Sequence, residues 1–176
     1  MSSTAYPQLV RGTAAWLYSV VNAQMAQINT ELTAAITSAK GAPQFTMSMG
    51  DPLVVTAPTL AVLFGSTTRT RFAQHNYQFI LNFRVCCLIP HAGDDTAMDH
   101  EMARQVAADN LLNLFTDESL TLTPKVVAGP LGTIRALYTD FSTLMDIFPR
   151  KLADGKTIVR GFELPISVGF DLTASS

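Results

Sequence analysis

The sequence predicts an α+β domain, a mostly antiparallel sheet with two helices packed on one face, one of them long and N-terminal. Three patterns carry that expectation. Leu17, Val21, Met25, Ile28, Leu32 and Ile36 recur at spacings of three and four, which draws one apolar stripe along a helix. Tyr77, Phe79, Leu81, Phe83, Val85, Cys87 and Ile89 alternate with a mixed set, as on a half-buried strand. Phe162, Leu164, Ile166, Val168, Phe170 and Leu172 do the same near the end of the chain.

Taken in order, residues 1–12 read as an irregular arm ending at Arg11-Gly12, with Thr13 as a helix cap. Alanines at 14, 15, 23, 26, 34 and 35 favour the first helix and allow close packing. Gly41 and Pro43 stop it, so some 26 residues give a helix of roughly 39 Å. Residues 43–52 read as a loop carrying Met47 and Met49. Leu53–Phe64 reads as a strand, with Pro58 at an edge or bulge, and Gly65-Ser66-Thr67-Thr68 as its punctuation. The strand Tyr77–Ile89 would span roughly 43 Å, longer than most. After a loop over 90–95, Thr96 and Asp99 form a weak capping box. Ala103, Ala107, Leu111 and Phe115 then mark the buried side of a second helix over 97–115. Two short strands are expected around Gly129-Pro130, and Asp140–Phe148 is ambiguous. Asp154-Gly155 signals a hairpin turn, and Pro165 points to an edge or bulge in the last strand. The domain is thus bounded as residues 13–172, between the arm and a tail of 173–176.

Composition argues for a subunit of something larger. Charged residues are 15% of 176 and hydrophobic residues 48%, with a mean hydropathy of +0.23. A typical domain carries about 25% charge. The longest nearly apolar stretch, Leu53–Gly65, is 13 residues and contains Pro58, short of the roughly 20 that span a bilayer. Burial against copies of itself or against neighbours is the simplest cause. The net charge of −2 and a pI near 5.8 leave no basic footprint for nucleic acid. The adjacent Cys86 and Cys87 point to opposite faces of a strand, so two reduced thiols are expected. No basic and apolar leader is seen at the start, which implies synthesis in a cytoplasm.

The residues offer little chemistry. His91, Asp94, Asp95, Asp99, His100 and Glu101 cluster in sequence but match no zinc or calcium pattern. They read as a solvated loop whose acids offset a helix dipole. His75 reads as a strand-end residue. No nucleophile elbow or phosphate-cradling glycine loop is present. No catalytic, metal-binding or cofactor-binding residue and no cofactor are therefore assigned. Met25, Met98, Met102 and Met145 fall where core residues belong. Met47 and Met49 in a loop, and Trp16 beside the helix stripe, are the candidate subunit or partner interface.

The layout of a long N-terminal helix, a strand pair, the strand Tyr77–Ile89, a second helix and a closing hairpin ending in Arg160-Gly161-Phe162-Glu163-Leu164-Pro165-Ile166-Ser167-Val168 resembles the tail terminator and neck proteins of tailed bacteriophages. The resemblance covers roughly residues 9–172 and rests on the order of elements. It implies a structural virion protein, without catalytic residues, that forms a ring, usually a hexamer, closing the tail tube and meeting the head connector. Implied partners are further copies of itself, the tail tube protein and the connector or stopper proteins, with DNA passing through the lumen and no membrane. It also implies assembly in the host cytoplasm and residence in the virion. In such a ring Arg69 and Arg71, or Arg150 and Lys151, are candidate lumen charges, and loops 43–52, 65–71 and 149–156 would face the channel or adjoining rings. The alternatives are a head-completion, stopper or baseplate component, or a small binding module or enzyme whose site is assembled from distant residues.

Overall fold

In a computed structural model, residues 5–36, 41–71, 76–91, 97–116, 128–129, 132–141, 145–152 and 154–173 are described. They form helix α1 (Ala5–Ala35), strands β1 (Thr46–Met49), β2 (Thr59–Arg71) and β3 (Asn76–Pro90), helix α2 (Ala97–Thr116), and strands β4 (Ala128–Gly129), β5 (Gly132–Phe141), β6 (Met145–Lys151) and β7 (Ile158–Thr173). The sheet order is β1-β2-β3-β7-β5-β4, and β6 pairs with β7 beyond the end of β5. Every pairing is antiparallel except β1 with β2. The α+β class expected from the sequence is what forms.

Both helices lie on one face. The whole stripe Leu17, Val21, Met25, Ile28, Leu32 and Ile36 is buried, as are Ala103, Ala107, Leu111 and Phe115 of α2. They pack with Leu60 and Val62 of β2, the odd-numbered residues Phe79 to Ile89 of β3 and the even-numbered residues Phe162 to Phe170 of β7. The opposite face is divided. One end carries a small apolar cluster of Val55, Ala61, Cys86, Leu88, Leu152 and Val159. The rest is polar: Arg84 pairs with Glu163 at 3.1 Å, Ser167 donates to Asn82 at 2.8 Å, and Asn82 donates to Ser66 at 3.1 Å. Cys86 and Cys87 form no disulfide and are buried on opposite faces. Burial, then the neighbouring Cys86, pushes the Cys87 thiol far up, so it stays protonated and inert.

Helix α1 starts earlier than the sequence reading allowed. Residues 5–12 are helical rather than an irregular arm. Pro7 sits in the first turn, where its missing N–H has no intrahelical acceptor to lose. Gly12 is tolerated inside the helix at a cost of about 1 kcal/mol, and buried Leu9 extends the apolar stripe. Thr13 is not a cap: it is buried, and its hydroxyl donates back to the Leu9 carbonyl at 2.9 Å. At the other end the Ile36 N–H still reaches Leu32, and Gly41 adopts a φ of 77°. The Thr96 cap lies outside the described residues.

The loop expected over 43–52 contains β1, which runs parallel to β2 with Thr46 opposite Thr59 and Met49 opposite Val62. Asn29 of α1 fixes its root: the Phe45 N–H donates to Asn29 Oδ1 at 2.8 Å and Asn29 Nδ2 donates to the Phe45 carbonyl at 3.4 Å. The strand expected over Leu53–Phe64 begins only at Thr59. Pro52 and Pro58 bracket a connection instead, and the Pro58 carbonyl accepts the Thr46 N–H at 2.8 Å. Gly65 does not end β2. A bulge between Phe64 and Ser66 absorbs the extra residue, and pairing with β3 continues to Arg71.

The hairpin at Asp154-Gly155 forms as expected. Asp154 Oδ1 accepts the N–H groups of Lys156 and Thr157, each at 2.9 Å, and Gly155 takes a φ of 68°. Pro165 is not on an edge, because β7 has partners on both sides. It falls where those partners change, between the pairs Phe141–Ile166 and Met145–Glu163. No described residue is registered opposite it on that side, so no ladder bond is lost. Thr173, expected in the tail, is the last residue of β7.

Gly161 tests this packing. Its φ is 152°, and a Cβ added there would lie 1.8 Å from the Cys87 carbonyl oxygen. Gly161→Ala is expected to cost about 3 kcal/mol or more in urea unfolding, since backbone rather than a flexible side chain must move. The helix pair gives a second test. Buried Asn110 donates to Glu31 at 2.6 Å, and Gln27 donates to the other Glu31 oxygen at 2.9 Å. These bonds, that of Gln27 first, hold the Glu31 carboxyl below its ordinary value. Asn110→Asp sets two carboxylates against each other, so a loss of about 1–2 kcal/mol is expected at neutral pH. One of the pair then has a raised pKa, so stability recovers as pH falls toward 4.

Candidate interaction surface

The feature that stands out is an apolar fringe around β1. Met49, Leu53, Val54 and Phe64 are 55%, 72%, 57% and 42% exposed, and they are four of the five large exposed hydrophobic residues among those described. Met49 ends β1. Leu53 and Val54 lie on the connection that leaves it, and the next residue, Val55, is buried in the cluster on the face away from the helices. Phe64 sits on β2 just past Val62, the last residue paired with β1, and its ring meets Phe83 edge to face at 5.4 Å. Among the described strands nothing pairs with the outer side of β1. This is a strand edge beside exposed apolar surface, the arrangement that natural proteins cover or guard.

Of the interface residues read from sequence, Met49 belongs to this fringe. Met47 is half-buried and packs on the helix-side core, as does Trp16. Met98, read as a core residue, is 75% exposed at the start of α2. Leu53, Val54 and Phe64 were missed because that stretch reads as a strand. The flanking prolines at 52 and 58 were the signal that it is a connection.

The four candidate lumen charges fall into two separate groups. Arg69 and Arg71 register with Phe79 and Tyr77, and Arg150 and Lys151 with Val159 and Ile158. Phe79 and the Val159 partner Pro90 stand near opposite ends of β3, roughly 35 Å apart at strand spacing. The two groups therefore cannot form one patch within a subunit. Segment 65–71, and residues 149–151 of the expected 149–156 loop, are strand rather than loop.

The histidine cluster is partly assembled. His91 and His100 rings lie 6.5 Å apart, edge to face, and the His91 N–H bonds the Ile158 carbonyl. Asp94 and Asp95 lie outside the described residues, and Glu101 is taken up by Arg104, whose Nη2 donates to it at 2.6 Å. Among the described residues no group of three or more His, Cys, Asp and Glu is placed to hold a metal ion, and no helix is long and apolar enough to cross a membrane. A shallow hollow of about 410 Å³ lies beside the root of β1, lined by Asn29, Thr30, Thr33, Ala34 and Gln44. It offers no charged group, and the Asn29 amide and both threonine hydroxyls are engaged in local hydrogen bonds. No protein-family model and no curated protein matches this chain.

The His100 environment fixes a pH response. Burial lowers its pKa, His91 and Arg160 lower it further, and Asp99 partly opposes them. The unfolded chain therefore takes up a proton first. Stability is held above about pH 6.5 and declines as pH falls below it, levelling off beneath the folded value. His100→Gln is expected to flatten that decline in urea midpoints measured from pH 7.5 to 5.

Proposed function

We propose that this protein is a ring-forming structural subunit of the tail or neck of a tailed bacteriophage, most simply the terminator that closes the tail tube and meets the head connector. The observation that carries the reading is the apolar fringe on an open strand edge in a chain of only 15% charged residues. A lone soluble domain has little reason to display it. A head-to-tail ring, which buries two different patches on every subunit, does. The element order supports the same reading, since a long N-terminal helix and a second helix cover one face of a largely antiparallel sheet. In such a ring the two separated cation pairs give two belts at different levels, and DNA moving through the lumen would pass each in turn.

Sedimentation and native mass spectrometry of the purified protein across concentration, followed by negative-stain imaging, test the reading. Rings, or a monomer that forms rings on added tail tubes, support it. A monomer that neither assembles nor caps tubes overturns it. Capping of tubes in preference to connectors separates a terminator from a stopper. Replacing Leu53 and Val54 together by Lys leaves the melting temperature near that of the parent, because both side chains are exposed. It is expected to weaken self-association by tenfold or more, which corresponds to about 1.4 kcal/mol.

A further inference from the structure

Among the described strands, β1 and β6 leave two open edges on opposite sides of the sheet, and they match. Three complete rows cross it from one edge to the other. Thr46, Thr59, Leu88, Gly161 and Ile147 form the first; Met47, Leu60, Cys87, Phe162 and Asp146 the second; Ser48, Ala61, Cys86, Glu163 and Met145 the third. The β1 edge and the β6 edge therefore stand at the same level of the sheet, on opposite sides. Their directions also match. β1 runs with β2, and three antiparallel steps lead from β2 through β3 and β7 to β6, so β1 and β6 run oppositely.

The backbone of β1 is set to receive a strand. The N–H groups of Thr46 and Gly50 point inward, to Pro58 and Val62. By strand alternation those of Met47 and Met49 point outward. On β6 a register shift between Ile147 and Arg150, with Pro149 inside it, leaves Met145–Ile147 as the regular stretch. Those three residues are the ones that share rows with Thr46–Ser48. Among the described strands neither edge has a partner.

We propose that copies of this chain join head to tail by antiparallel addition of Met145–Ile147 of one copy to Thr46–Met49 of the next, with the Met49, Leu53, Val54 and Phe64 fringe buried beside the new ladder. This rests on the ring reading and names its interface. A second copy is the fitting occupant because the complementary edge is on the same chain, at the same level and in the opposite direction. Successive copies can then continue the sheet with little slip along the strands, and the antiparallel pair is the more stable kind. A closing rotation gives a ring, and a non-closing one gives a filament.

Cysteine pairing tests the proposal. Ser48 and Met145 share a row, so Ser48→Cys on one copy and Met145→Cys on the next would lie at antiparallel partner distance, which a disulfide can bridge. The native cysteines are both buried. Each single variant is checked to melt as the parent does, and the two are then mixed and oxidised. The expected result is a covalent dimer from the mixture, little from either variant alone, and a ladder of higher species from the double variant. In the unmodified protein, the Met47 amide, which shares a row with Asp146, is expected to exchange at least tenfold more slowly when concentrated than when dilute. Dimers of Ser48→Cys alone would show a symmetric pairing and overturn the proposal. Oligomers without cross-links or amide protection would overturn this interface while leaving the ring reading standing. A monomer at every concentration, without either signal, overturns the proposal, and failure on added tail tubes then removes the ring reading as well.

Discussion

The pairing of β3 with β7 sets the terms for the rest of the molecule. Fifteen residue pairs run from Asn76–Thr173 to Pro90–Val159 without a register shift. On one side the ladder presents Phe79, Leu81, Phe83, Val85 and Cys87 beside Phe162, Leu164, Ile166, Val168 and Phe170, all buried. So much apolar surface in one direction requires a lid, and α1 and α2 supply it from the same side. Among the described residues the other side has no helical lid. It is closed at one end by Val55 and Leu152 and made polar elsewhere by the Arg84–Glu163 pair and the Asn82 hydrogen bonds. Gly161 belongs to this constraint, since only a residue without Cβ lets β7 approach Cys87 so closely.

That ladder was also the most legible part of the sequence. Period-two alternation in β3 and β7, and the three-and-four spacing in α1, report burial on one face, and burial dominates their energetics. Elements decided by something else were harder to read. The first two turns of α1 hold Pro7 and Gly12, which usually argue against helix, yet the position of Pro7 and the burial of Leu9 override them. Leu53–Val55 is apolar enough to pass for strand, but its backbone lies between two prolines. Gly65 looks like a stop and is a bulge, a distinction that only a partner strand can make. Pro165 looked like an edge signal and sits at the seam between two partner strands, which no local pattern encodes. The interaction surface was half-legible for the same reason. Met49 stood out as an apolar residue in a supposed loop, whereas Leu53, Val54 and Phe64 were hidden inside a supposed strand.

Charge is used sparingly, and four of the described carboxylates have local partners. Glu101 is held by Arg104, Glu163 by Arg84, Glu31 by Gln27 and Asn110, and Asp154 by the backbone of its own turn. For Glu101 and Glu163 the partner is an arginine, so the field of each pair falls off quickly with distance. The Arg69–Arg71 and Arg150–Lys151 pairs stand apart near opposite ends of the sheet. In one copy each is only a small local charge. Rotational repetition is what would turn either into a continuous belt, so any electrostatic role they have belongs to the assembly rather than to the subunit.

The two open edges are treated differently, and the difference bears on what the subunit is for. An exposed strand edge invites uncontrolled pairing, and soluble proteins blunt such edges with proline, bulges or lysine. β6 carries all three beyond Ile147: Pro149, a register shift and Lys151. β1 carries none. Thr46-Met47-Ser48-Met49 has no charge and no proline; Asp51 and Pro52 come only after the strand has ended, ahead of the exposed Leu53 and Val54. An unguarded edge on a monomer is a liability, and four residues is short enough to keep that liability modest. Guards on one edge that begin where the rows shared with β1 end are better understood as a stop. They leave three residues of β6 free to pair and limit the ladder to that length. On this argument the short β1 and the interrupted β6 are two halves of one contact, separated by the width of the sheet.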